Sequence, residues 1–257
     1  MISILRVILA PLALMGWQLA YPHNCLALGI PAATVVMIFL YVWHVRSVPL
    51  KVVADFYFAK RHLLYGFFYS RIRLFLFASV YAVFFSAALY LGATLWTPLY
   101  FGILTADALL IFFMFHGIRT WVQSSISLTD DAAPIVAKKF LAALNSLFLI
   151  IAFTWLSLDS VPPAYAQAGG TLTEMMRYAA EGNFTDCELI QPFVSLARQL
   201  EGAKYYFAGA GLAVFDETIL RWLIILMFSV AGAAPALAYS QFVLQLVAGR
   251  KSEEAEQ

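Results

Sequence analysis

The sequence predicts an all-α, polytopic membrane helix bundle of about six transmembrane helices, with both termini cytoplasmic and a small helical cap on the outer side. Three observations carry that expectation. The chain is 63% hydrophobic and 12% charged, whereas soluble domains carry about 25% charged residues. Its apolar residues gather into windows of about 20, the length a helix needs to cross a hydrocarbon core of about 30 Å. Its Lys and Arg residues crowd the connections on one side of those windows, the side that faces the cytoplasm under the positive-inside rule. A mean hydropathy of +0.81 and 22 Phe residues agree, because acyl chains accept exposed Phe and Leu. The net charge of +1 gives no reason to expect a nucleic-acid partner.

The windows run Ile2 to Ala20, Cys25 to Val45, Leu74 to Trp96, Leu99 to Gly117, Phe140 to Leu158 and Thr218 to Val247. The first could pass for a signal peptide, with Arg6 ahead of a short apolar run. No A-x-A cleavage pattern precedes Tyr21, so it reads as a retained first span. YPHN separates the first pair and TPL the second, so each pair forms a tight hairpin. The last window exceeds what a bilayer needs. It is expected to tilt, to kink at Pro235 or to project beyond the membrane.

With both termini inside, twelve of the sixteen basic residues fall on the inner side: Arg6, Arg46, Lys51, Lys60, Arg61, Arg71, Arg73, Arg119, Lys138, Lys139, Arg250 and Lys251. Arg177, Arg198, Lys204 and Arg221 remain outside. The chain then divides into a five-helix region at 1–158, an extracytoplasmic segment at 159–217, and a sixth helix with cytoplasmic tail at 218–257. The bacterial inner membrane suits this arrangement. Within the first region, 46–73 mixes Phe, Tyr and Leu with Lys51, Lys60, Arg61, Arg71 and Arg73, the composition of an interfacial helix meeting anionic head groups or a partner. It could equally extend the third span into the cytoplasm.

This topology places Cys25 and Cys187 outside, where oxidising conditions would allow a disulfide pinning the outer segment to the bundle; two unpaired buried thiols are the alternative. The outer segment carries eight acidic residues against three or four basic ones. Thr171-Leu-Thr-Glu174 and Thr185-Asp-Cys-Glu188 both match the capping box, and Gly182 and Gly202 stand where helices end. Short helices are expected near 172–181 and 186–201, the second beginning late or bending at Pro192. Asn183-Phe-Thr185 is a glycosylation sequon too short to be informative.

One residue breaks the apolar pattern of the fourth window. Asp107 lies about 12 Å inward from Leu99, close to the bilayer midplane. A carboxyl there must find a partner, stay protonated or face the bundle interior. Ser86, Tyr90 and Thr105 are the expected hydrogen-bond partners. An ion or proton pathway would need further polar groups, for which Asn145 and Gln241 are the leading candidates, with Ser229, Ser240, Tyr81 and Ser86 behind them. Asn145 falls nearer the inner face and Gln241 nearer the inner end of the last helix, so a single site at the depth of Asp107 is not the expectation.

His44 and His116 fall at similar depth near inner helix ends and could together hold a b-type haem; no other cofactor and no metal site is expected. Asp130 and Asp131 read as the N-terminus of the fifth helix, where acids favour the helix dipole. No G-x-S-x-G, H-E-x-x-H or phosphate-loop motif occurs, which disfavours catalysis. Ala88 with Gly92, and Ser229, Ala233 and Ala236, form small-residue faces suited to close helix packing or self-association. Three functions follow: a non-catalytic subunit of a larger transport, secretion or envelope assembly; an oligomeric ion or proton channel or transporter using Asp107; and a haem-bearing anchor of an oxidoreductase.

Overall fold

The computed structural model describes residues 2–57, 70–126, 132–159, 163, 166, 170–181, 185–212 and 217–248, and every regular element among them is helical. In chain order these are α1 (Ile2–Ala20), a short 3-10 turn (Cys25–Leu28), α2 (Gly29–Tyr57), α3 (Arg71–Ala93), α4 (Pro98–Ile126), α5 (Ala132–Asp159), α6 (Leu172–Ala180), α7 (Gln191–Leu212) and α8 (Glu217–Ala248). Five helical stretches are long and apolar enough to cross a membrane: Cys25–Ser47, Arg71–Ala93, Pro98–Val122, Ile135–Ser157 and Trp222–Val247. In α1 the apolar stretch Leu5–Ala20 is shorter. The five long apolar helices are the pattern of an integral membrane protein.

Each apolar helix turns one face inward and leaves large hydrophobic side chains outside. In α1, Val7, Ala10, Leu14 and Trp17 are buried while Leu5, Leu9, Leu12, Met15 and Leu19 are exposed. Such a surface would be unstable in water but is ordinary against lipid. The centre is α8, which packs on α5, α3, α2 and α1 and also touches α4 and α7. From Ala238 to Leu244 it is buried all round. Pro235 lies inside this helix without ending it, and room for its ring comes from α3, where a Cβ on Gly92 would sit 3.5 Å from the Pro235 Cβ.

Connections follow local chemistry. Asn24 caps the 3-10 turn by accepting from the Leu26 N–H at 2.8 Å, and Ser70 caps α3 by accepting from Arg73. The first part of the basic-aromatic stretch prolongs α2, which continues to Tyr57. Lys51 belongs to that extension, Arg71 and Arg73 are exposed in the first turn of α3, and Lys60 and Arg61 lie outside the described residues. Arg46 places its guanidinium 4.1 Å from the centre of the Phe77 ring, joining α2 to α3.

A disulfide joins Cys25 to Cys187, and the Asp186 N–H donates to the Pro22 carbonyl at 2.9 Å. These contacts pin the start of α7 to the α1–α2 hairpin. Gly170, at φ +138°, turns the chain into the capping box of α6, in which Thr171 and Glu174 bond reciprocally. The second expected capping box does not form. Thr185 instead donates its hydroxyl to the Cys187 carbonyl, and α7 begins only at Gln191, one residue before Pro192. Pro at the start of a helix sacrifices an N–H that has no partner there anyway. Gly202 does not end α7; Gly182 lies outside the described residues.

Gly202 is instead the contact point between α6 and α7. A Cβ there would sit 2.6 Å from the Met175 carbonyl oxygen and 3.0 Å from the Ala179 Cβ. Gly202→Ala is therefore expected to force the hairpin apart at a cost of about 1–3 kcal/mol, seen as faster proteolysis between Asp159 and Glu217 with the membrane helices unchanged. The capping box adds a pH dependence. The Thr171 N–H and hydroxyl hold the Glu174 carboxyl below its usual range, so its support of α6 is complete above about pH 4.3 and fades as pH falls through the lower folded value. The protection factors of the α6 amides, corrected for intrinsic exchange, should fall over that window, and Thr171→Ala should remove the dependence.

Candidate functional site

The helical repeat explains why Asp107 is buried. Phe101, Leu104, Ala108, Ile111 and Phe115 recur at three- and four-residue steps on the inward face of α4, and Asp107 lies on that face at 3% exposure. The same repeat on α5 turns Leu141, Asn145 and Leu149 inward, and α8 contributes Tyr239 and Ser240. Three helices therefore bring polar groups to one apolar seam.

Asn145 is the hub. Its Nδ2 donates to Asp107 Oδ2 at 3.1 Å and to Ser240 Oγ at 2.9 Å, which uses both amide hydrogens. Ser240 donates its hydroxyl to the Ala236 carbonyl at 2.8 Å. Ser146 donates to the Ala142 carbonyl at 2.6 Å and holds its Oγ 3.2 Å from that of Ser240. Beside them the Tyr239 hydroxyl donates to the Leu104 carbonyl, three residues before Asp107. Every hydrogen in this cluster is committed, yet Asp107 Oδ1 is buried with no partner among the described residues. The carboxyl is held through one oxygen, and the other is buried without a hydrogen bond among the described residues.

The expected partners of Asp107 are all engaged elsewhere. Ser86 donates to the Pro31 carbonyl at 3.3 Å, Tyr90 shares a hydrogen bond of 2.6 Å with Thr34, and Thr105 donates to the Phe101 carbonyl at 2.7 Å. Asn145 meets Asp107 after all, contrary to its expected depth. The apolar stretch of α5 begins at Ile135 rather than Phe140, since Lys138 is itself buried at 5% exposure, and Asn145 falls midway along it. Gln241 does not join. One step along α8 turns a side chain by about 100°, and Gln241 Nε2 donates to the Tyr81 hydroxyl of α3 at 2.7 Å.

The two histidines are not brought together. His44 is half-buried on α2, whereas His116 is exposed on α4 with its ring against Phe112 and Phe115, and α2 and α4 do not pack on each other. Among the described residues no three His, Cys, Asp or Glu side chains group as metal ligands would. Asp130 and Asp131 lie outside the described residues. Sequence reasoning passed over Ser146 and Tyr239. Both adjoin residues it did weigh, and the inward periodicity of α5 and α8 was the available signal. No protein-family model, curated protein or solved structure matches the chain.

Asn145→Ala would strip Asp107 Oδ2 of its donor and leave a buried acceptor unpaired, at an expected cost of about 1–3 kcal/mol. Thermal unfolding in detergent would measure it. Ser146→Ala, which removes a hydroxyl bonded chiefly to its own helix, should cost less. Removing both buried partners in Asp107→Leu with Asn145→Leu should recover most of the loss, and a double variant no more stable than Asn145→Ala would contradict the pairing.

Proposed function

We propose that the chain is an integral membrane protein that passes a proton or a small cation through Asp107. The observation that carries this reading is the asymmetry of the carboxyl, with Oδ2 held by Asn145 and Oδ1 buried without a partner. A carboxyl serving only to join helices would gain by engaging both oxygens, because an unpaired buried acceptor costs about 1–3 kcal/mol. Asn145, fixed through Ser240, keeps the carboxyl oriented while Oδ1 gains or loses a proton or contacts a desolvated cation. No bond within the cluster need break for that exchange.

The reading includes six spans, with both termini on the cytoplasmic side of a bacterial inner membrane. Two features support it. The disulfide requires Cys25 and Cys187 to share a side, as they do when α2 to α5 cross four times between them. Helix α1 packs on α4, α8 and α3, and its 19 residues span about 28 Å. The exposed Arg71 and Arg73 would then meet anionic head groups at the cytoplasmic face.

A second reading, a non-catalytic subunit of a larger membrane assembly, is favoured by the self-sufficiency of the Asn145 cluster, which can serve as packing glue without transport. Reconstitution separates the two. Under the first reading the protein purified alone supports proton or cation flux in liposomes, Asp107→Asn abolishes it and Asp107→Glu retains a fraction. Flux unchanged in folded Asp107→Asn overturns it. Fixed partners retained in mild detergent, together with no flux from the isolated chain, establish the second.

A further inference from the structure

The outer helix α7 has an apolar face that the fold leaves uncovered. Phe193, Leu196, Leu200 and Phe207 are all exposed, and their steps of three, four and seven residues place them on one stripe. Leu189, just before the helix, is exposed as well. Ile190, Val194 and Ala197 are buried on a neighbouring face, so α7 is apolar on two sides. We propose that this stripe lies in the outer interface of the bilayer, making α7 an in-plane, lipid-seated helix rather than part of a water-exposed cap.

Three placements point to lipid as the occupant. The start of α7 is bound through Cys187 to Cys25, the first residue of a membrane-crossing stretch. Its C-terminal half is bound to α8 below the start of another: Lys204 Nζ lies 4.5 Å from the centre of the Phe228 ring, and Tyr205 packs edge-on against the same ring at 6.4 Å. Phe228 is six residues past Trp222, where the crossing stretch begins, or about 9 Å along the helix. Both ends of α7 are thus held at membrane level.

Direction follows from α6. It packs on α7 at Gly202, and its own exposed residues are Thr173, Glu174, Arg177 and Tyr178, with Glu181 exposed just past its end, a mostly polar surface suited to water. At 100° per residue the stripe stands about 150° around α7 from Gly202. With α6 on the aqueous side, the stripe therefore faces the bilayer. The start of α8 likewise exposes Trp222, Leu223 and Leu226, further large apolar side chains that need lipid. An interfacial helix with one polar neighbour and one apolar stripe has the features of a monotopic membrane contact.

Both cysteines are bonded and no free thiol occurs among the described residues, so an introduced cysteine can be labelled selectively. Leu196→Cys and Leu200→Cys, with Thr173→Cys on α6 as the contrast, would carry a bimane label in the disulfide-intact protein reconstituted alone into liposomes. Brominated lipids should quench positions 196 and 200 at least threefold more than position 173, and aqueous iodide should show the opposite order. Iodide quenching at 196 and 200 with indifference to brominated lipid overturns the proposal and leaves the stripe as a surface for a protein partner. Because Leu196 and Leu200 are outward-facing, the labels leave the core intact; retention of the Cys25–Cys187 bond on a non-reducing gel verifies the fold.

Discussion

The arrangement of the bundle depends on placing one carboxyl where almost everything else is apolar. Burying Asp107 without partners would cost several kcal/mol, and helix α4 alone offers no group to offset that cost. Asn145 from α5 and Ser240 from α8 must therefore arrive at the same level, which fixes the rotation and axial register of three helices at once. The ring of Pro235 settling over Gly92 sets the approach of α8 to α3. Helix α8 can serve all these neighbours because small residues, Ala236 and Ala238 among them, line its buried turns.

In lipid there is little hydrophobic gain in moving an apolar side chain from acyl chains to a protein interior, so close packing and interhelical hydrogen bonds select the fold. The distribution of hydrogen bonds fits that constraint. Thr34 with Tyr90 joins α2 to α3, Ser86 with the Pro31 carbonyl repeats the tie one turn away, and Gln18 donates to the Trp96 carbonyl from α1 at 2.7 Å. Tyr100 with Ser157 joins α4 to α5, and Thr154 with Ser229 joins α5 to α8. Such bonds are worth about 0.6 kcal/mol each on average in a membrane. Their number and placement matter more than any one of them.

The positions of the apolar helices were legible because length and hydropathy are properties of single segments. The α6 capping box was legible for the same reason, since Thr171 and Glu174 need only each other. Thr185 and Glu188 present the same pattern, but the disulfide at Cys187 and the late start of α7 at Gln191 override it. The site was legible only in part. Asp107 announced itself by residue type, whereas its partner depended on the register of α5 against α4. Counting inward from Phe140 misplaces Asn145, because the apolar stretch reaches back to Ile135 and takes in the buried Lys138. Gln241 failed for a related reason: hydropathy shows that a helix is buried but not which neighbour a given polar side chain meets.

Helix α8 also connects the two regions of interest and separates them. Its first half meets Lys204 and Tyr205 of α7 at Phe228, and its second half presents Ser240 to Asn145. Between them stands Pro235, which lacks the N–H that would otherwise bond to the Ala231 carbonyl and so interrupts the helical ladder between the halves. The half before Pro235 is tied to α7 at Phe228 and to α5 at Ser229, and the half after it, buried from Ala238 to Leu244, is held in register with α4 and α5. The position of Asp107 Oδ2 therefore rests, through Asn145, on the half of α8 that carries Ser240.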